Sequence, residues 1–153
     1  MNGIKMAAIK VERRSIAAAV FIGRGLDYTQ TRELASDFNK AQSSAIGFIT
    51  WVIGTFGIQS AAIEITPPGT AMRRSMLTDA IIGVCRDGGI SLWDVRKDDL
   101  FQAFGVPALK SRREIREVIT EIWPILPTRN GKVPALDAVA LGLYVQTERL
   151  FTN

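Results

Sequence analysis

The 153-residue chain carries nineteen Lys and Arg against fifteen Asp and Glu, a net charge of +4, and is 47% hydrophobic and 22% charged. That is the composition of one globular domain with a sizeable core, expected to span residues 1–153. There is no His and Cys85 is the one cysteine, which excludes Ser-His-Asp and Cys-His nucleophilic systems, ordinary zinc sites and an intramolecular disulfide. Any catalysis must rest on carboxylates, Lys, Tyr, Ser or a hard metal ion.

Lys5 to Val11 reads as a first strand and Glu12-Arg13-Arg14-Ser15 as a turn. Ile16 to Ile22 is a second, very apolar strand, Gly23-Arg24-Gly25 a second turn, and Leu26 to Leu34, rich in Thr and Tyr, a third strand nearer an edge. Ser36 or Asp37 caps a helix that runs to Phe56, with Ala45, Phe48, Ile49, Val52, Ile53 and Phe56 on one apolar face and Gly57 at its end. Ser60 to Thr66, with Glu64 in its middle, reads as a fourth strand ended by Pro67-Pro68. Thr70 then caps a helix through Arg86, with Met72, Met76, Ala80, Ile81 and Val84 expected inward and Gly88-Gly89 as its stop.

Ile90 to Val95 alternates as a fifth strand, and Asp98-Asp99 opens a short helical stretch, Leu100 to Phe104. Ser111 with Glu114 makes a capping-box signature for the next helix, which Pro124 and Pro127 bound. After the polar loop Thr128 to Lys132, a last helix starts near Pro134 and runs to Leu150. A meander followed by alternating strands and helices predicts an α/β fold: one five-stranded mixed sheet covered on both faces. The uncharged segment Ala41 to Ile63 has its apolar heart at Ala45 to Ile58, shorter than the about 20 residues of a membrane span, and is expected to be a buried helix. The first residues lack a signal peptide's unbroken apolar region, so a cytoplasmic protein is expected.

Chemistry concentrates on Glu64. A carboxylate in the middle of a central strand must be paired, protonated or turned toward a cleft. Basic clusters occur at Arg13-Arg14, Arg73-Arg74, Lys110-Arg112-Arg113-Arg116 and Arg129-Lys132. Phosphate contact is the functional reading of these and solvated helix faces the ordinary one; Arg73-Arg74 is favoured because a helix N-terminus attracts phosphate. Trp51, Trp93 and Trp123 sit in apolar patterns and are expected in the core, as is Cys85.

The element order is similar to that of the ribonuclease H-like fold, and particular residues narrow the resemblance. Ala8 to Val20 resembles the first hairpin of RuvC and YqgF proteins, Ala62-Ile63-Glu64 the RuvC strand with a catalytic Glu, and Leu136 to Leu143 the start of the last helix with a catalytic Asp. Leu100 to Leu126 resembles the family's short helix, loop and basic helix. The resemblance implies a nuclease site in which carboxylates gather two Mg²⁺ or Mn²⁺ ions for in-line displacement at a phosphodiester. Glu64 and Asp137 are the catalytic and metal-binding residues it carries over. It also implies a branched DNA partner and a homodimer, for which an exposed apolar face on the last helix would serve.

The departures are specific. Lys10 stands where the resemblance puts the first-strand Asp, and Pro134 where RuvC has a second acid in the last helix. Glu12 points to the same face as Lys10, about 7 Å along the strand, and is the candidate replacement ligand. An ammonium close to Glu64 and Asp137 would neutralise them and compete with a metal, which predicts an internal ion pair in the metal's place. Three readings follow: a RuvC-like protein that binds branched or structured DNA with cleavage impaired or lost, an active Mg²⁺-dependent endonuclease using Glu64, Asp137 and Glu12, and a non-catalytic domain for protein–protein assembly.

Overall fold

The computed structural model describes residues 3–65, 72–103, 112–123 and 133–150. Strands β1 (Lys5–Val11), β2 (Ser15–Ile22) and β3 (Gly25–Glu33) form the antiparallel meander, and β4 (Ser60–Glu64) and β5 (Ser91–Val95) extend it in parallel, giving the order β3-β2-β1-β4-β5. Helices α1 (Phe38–Phe56), α2 (Met72–Asp87), α3 (Lys97–Ala103), α4 (Arg112–Ile122) and α5 (Val133–Val145) follow the expected order, and α5 runs on into a π-helical turn, Gln146–Leu150.

Strand alternation divides the interior into two cores. Ala7, Ile9 and Val11 of β1 join Ile16, Ala18 and Val20 of β2 in one core, under α1 and α2. Met6, Ala8, Ala17, Ala19 and Phe21 face the other way, under α5, Leu100 of α3 and Ile115 and Ile119 of α4. The sheet centre is built of small side chains, and Ala8, Ala17, Ala18, Ala19, Ala61 and Ala62 are fully buried. Small residues let a helix backbone approach the sheet closely, and α5 packs directly on β1 and β2. Covered by the sheet on one side and by α3 and α4 on the other, α5 is buried almost all round, at Ala135, Ala138, Val139, Ala140, Leu141 and Val145.

Local chemistry explains the boundaries. Asp37 adopts an extended conformation and its carboxylate accepts the Lys40 N–H at 3.0 Å, so of the two expected caps it is Asp37 that starts α1. Gly57, at φ 65°, ends it in the left-handed conformation that glycine adopts without penalty. Between Val20 and Phe21 the pairing of β2 with β3 slips by one residue: Val20 faces Tyr28 and Phe21 faces Leu26. The resulting bulge at Asp27 sends Leu26 and Tyr28 to opposite cores and interrupts the alternation of this strand. Among the described residues no helix is long and apolar enough to cross a membrane.

Three expectations need correction. Met72 and Met76 of α2 are 76% and 46% exposed, and the helix buries Leu77, Thr78, Ile81 and Cys85 instead. The inward stripe runs through Leu77, Ile81 and Cys85, one residue on from Met72, Met76 and Ala80, and Thr78 packs beside it because its hydroxyl donates to the Arg74 carbonyl at 2.8 Å. Trp51 is not core: it is 46% exposed on α1, its ring packed against Tyr28, Phe48 and Phe56, while Trp93 and Trp123 do lie against the core beneath α5. Finally, among the described residues α5 leaves no apolar face exposed for a dimer, since Ala138, Leu141 and Val145 are buried within the chain. The caps at Thr70 and Ser111, the prolines at 67, 68, 124 and 127, and the loop 128–132 lie outside the described residues.

The contact of α5 with the sheet gives a stability test. A Cβ at Gly142 would run into the fully buried Phe21 ring. Gly142→Ala should therefore destabilise the protein by about 1–3 kcal/mol through overpacking, despite alanine's helix propensity advantage of about 1 kcal/mol. A urea midpoint equal to or above that of the wild type would contradict this packing.

Candidate active site

The strands bring the site together by register. In the parallel β1–β4 pair Ile9 lies beside Ile63, so the next residues, Lys10 and Glu64, are neighbours at the carboxyl ends of both strands. Both point to the α5 side, as Ala8 and Ala62 do two residues earlier. On the other flank Lys10 pairs with Ala17, and Ala17 with Thr31. Lys10 is therefore a buried ammonium set between an alanine and a carboxylate.

Lys10 Nζ lies 2.9 Å from Glu64 Oε2, with the two side chains only 3% and 9% exposed. The same ammonium is 3.6 Å from Glu12 Oε1. Glu12 shares the face of Lys10, and at 3.7 Å its other oxygen meets Arg74 Nη1 from α2. Glu12, whose side chain is 31% exposed, thus joins the buried pair to the rim.

Asp137 is held separately. It lies near the N-terminal end of α5 with its side chain 2% exposed, and Arg116 of α4 grips it through two hydrogen bonds of 2.9 Å, from Nε to Oδ1 and from Nη2 to Oδ2. Such a fork-to-fork contact satisfies both carboxylate oxygens in one plane. The Arg116 guanidinium is held above its ordinary range by these bonds to Asp137, against the opposing effect of its own burial; the charges of Asp137 and Glu12 add to the rise. The cluster thus consists of two ion-paired groups, Glu12 and Glu64 with Lys10 and Arg74, and Asp137 with Arg116.

The basic residues divide by role. Arg73 donates from Nε to the Arg13 carbonyl at 2.7 Å, from Nη1 to that of Ser36 at 2.8 Å and from Nη2 to that of Ala35. It clasps the β1–β2 turn to the β3–α1 connection, a structural role that its place beside Arg74 did not reveal. Arg13 and Arg14 are exposed in the turn directly after Glu12. Arg113 is 88% exposed and lies 3.5 Å from Glu117. Lys110 and the Arg112 side chain fall outside the described residues. The sequence placed Arg116 among the cations without a partner. Its signal was position, one residue past Ile115 on a helix whose Ile115 and Ile119 are buried toward α5.

No family model matches the sequence, and no curated protein matches it by sequence. Solved structures do match. Thermus thermophilus RuvC superimposes with a TM-score of 0.73 over 92% of both chains at 14% identity. The same protein in complex with a Holliday junction substrate gives 0.75 over 92% of both chains at 13% identity. The fold is that of RuvC. The yeast mitochondrial Holliday junction resolvase shares it with a TM-score of 0.65 at 10% identity, over 94% of this chain and 79% of that one.

The resemblance to RuvC nucleases implies a divalent metal, and the residues present do not suit one. Mg²⁺ and Mn²⁺ are held by clustered carboxylate oxygens, yet Glu12, Glu64 and Asp137 each face an ammonium or a guanidinium. Among the described residues no three Asp, Glu, Cys or His side chains gather within ligating reach of one point. The donor set is that of an ion-pair cluster.

Removing one partner of a buried pair leaves an uncompensated charge at a cost of about 3–5 kcal/mol. Lys10→Met should lower unfolding stability by that order at neutral pH, and Lys10→Met with Glu64→Leu should recover most of the loss. If denaturant unfolding finds Lys10→Met as stable as wild type, the pair does not hold the sheet as described.

Proposed function

We propose that this chain is a nucleic-acid-binding protein of RuvC fold, directed to branched or otherwise structured DNA, in which metal-dependent phosphodiester cleavage is impaired or lost. The observation that carries the reading is the Lys10 ammonium 2.9 Å from Glu64, at the position where the family resemblance puts a metal-ligating Asp. A buried cation there neutralises the carboxylate that a nuclease of this kind needs charged and open. Binding is supported by the likeness to RuvC, one structure of which is a Holliday junction complex, and by the cations around the cluster. Arg13 and Arg14 follow Glu12 in the β1–β2 turn, Arg74 contacts Glu12, and Arg113 lies one helical turn before Arg116. Lys110 and Arg112 extend the same basic stretch in sequence. The whole chain, 1–153, is proposed to act as one such domain.

Contact with phosphates makes affinity fall steeply with salt, by a slope of about 0.9 in log–log terms for each B-DNA phosphate neutralised. Labelled four-way junction, duplex and single-stranded DNA, titrated in Mg²⁺ and in chelator, should be bound without being cut. Arg13→Gln with Arg14→Gln should weaken binding and reduce the salt slope by up to about 2, while Glu64→Gln should leave binding intact. Wild-type cleavage abolished by Glu64→Gln would favour the active endonuclease built on Glu64, Asp137 and Glu12. No binding at low salt would leave the assembly domain as the better reading.

A further inference from the structure

We infer that Lys10 and Arg116 are built-in replacements for two divalent cations, one at each buried carboxylate of the cluster, so that the site takes up no metal and replacing Lys10 alone reopens only half of it. The inference deepens the reading above and concerns the same residues. Lys10 arises at the position where the family resemblance puts an acid, so its effect is legible from one substitution. Arg116 arises on α4, at none of the acidic positions, and it closes the other half independently.

The geometry supports one cation for each acid. Glu64 accepts Lys10 Nζ at 2.9 Å, and Asp137 accepts Arg116 Nε and Nη2 at 2.9 Å each. A divalent ion on either carboxylate would sit within a few ångströms of that fixed cation, and the like-charge repulsion in a nearly dry site opposes its entry. Both acids are nearly excluded from solvent, 9% and 2% exposed, and there the paired cation cannot be exchanged for water without leaving a buried charge bare. The third acid, Glu12, is met by cations as well, with Oε1 3.6 Å from Lys10 Nζ and Oε2 3.7 Å from Arg74 Nη1. Because fixed side chains supply the positive charge, nucleic-acid binding by this protein does not depend on divalent cations.

The test counts bound Mn²⁺ by calorimetry and by the electron paramagnetic resonance signal of the free ion. Wild type should bind none, Lys10→Asp one, and Lys10→Asp with Arg116→Gln two, each with a matching rise in melting temperature. Lys10→Asp with Asp137→Asn should bind its single ion with unchanged affinity, because in that background Arg116 still holds position 137. This variant decides the matter even if the one lacking Arg116 does not fold. Mn²⁺ bound by the wild type, a second ion taken up by Lys10→Asp alone, or at least a tenfold loss of affinity on adding Asp137→Asn would each overturn the inference. In parallel, wild-type DNA affinity should be the same within twofold in chelator and in Mg²⁺ at matched ionic strength; a requirement for Mg²⁺ would also overturn it. A wild type that binds no DNA at all would count against the proposed function, while the Mn²⁺ counts would still decide this point.

Discussion

The buried pair of Lys10 and Glu64 is the constraint around which the α5 side of the sheet is arranged. A carboxylate at the end of a central strand beneath a helix must have a counter-charge, and a lysine on the adjacent strand must have an anion. Each makes the other tolerable. The parallel register of β1 and β4 places them side by side, and the alanines flanking them let α5 come close enough to seal the pair from water. Buried ion pairs are weak sources of net stability compared with apolar packing. What this one supplies is a demand on register, because a one-residue slip of β4 against β1 would turn Glu64 toward the opposite, wholly apolar core.

Much of the fold was legible in the sequence because its signals were local. Asp37 and Gly57 bound α1, the two glycine-containing or basic turns bound the meander, and the order of elements by itself resembled a known fold. Lys10 and Glu64 could be brought together from the sequence because strand alternation puts both on one face. What escaped was the phase of helices whose polar residues hide their polarity, as Thr78 does against the Arg74 carbonyl. Trp51 escaped because an aromatic at helical spacing reads as core, although its ring packs on other rings at the surface.

The partner of Asp137 was hidden for a different reason. The sequence puts Lys10 beside both acids, whereas the helical layer gives each acid its own cation. Lys10 serves Glu64, and Arg116 reaches Asp137 across the α4–α5 contact. No spacing rule links positions 116 and 137, since their proximity depends on how two helices pack after a connecting loop. Arg73 shows the same limit, because its three carbonyl partners come from two separate connections. Arginine next to arginine at a helix start suggested two equivalent phosphate ligands, and the tertiary structure made one a clasp and the other a partner of Glu12.

The bulge at Asp27 has a bearing on how the protein behaves at high concentration. It lies in β3, an outer strand whose unpaired backbone groups would otherwise invite another chain to add itself to the sheet. An extra residue increases local twist and breaks the even spacing of donors and acceptors that such templating requires. Asp27, Arg32 and Glu33 are exposed along the same strand, and charges there oppose strand addition further. The irregularity that blurs the sequence pattern of β3 thereby serves as a guard against self-aggregation of a sheet whose centre is almost wholly alanine and branched aliphatic residues.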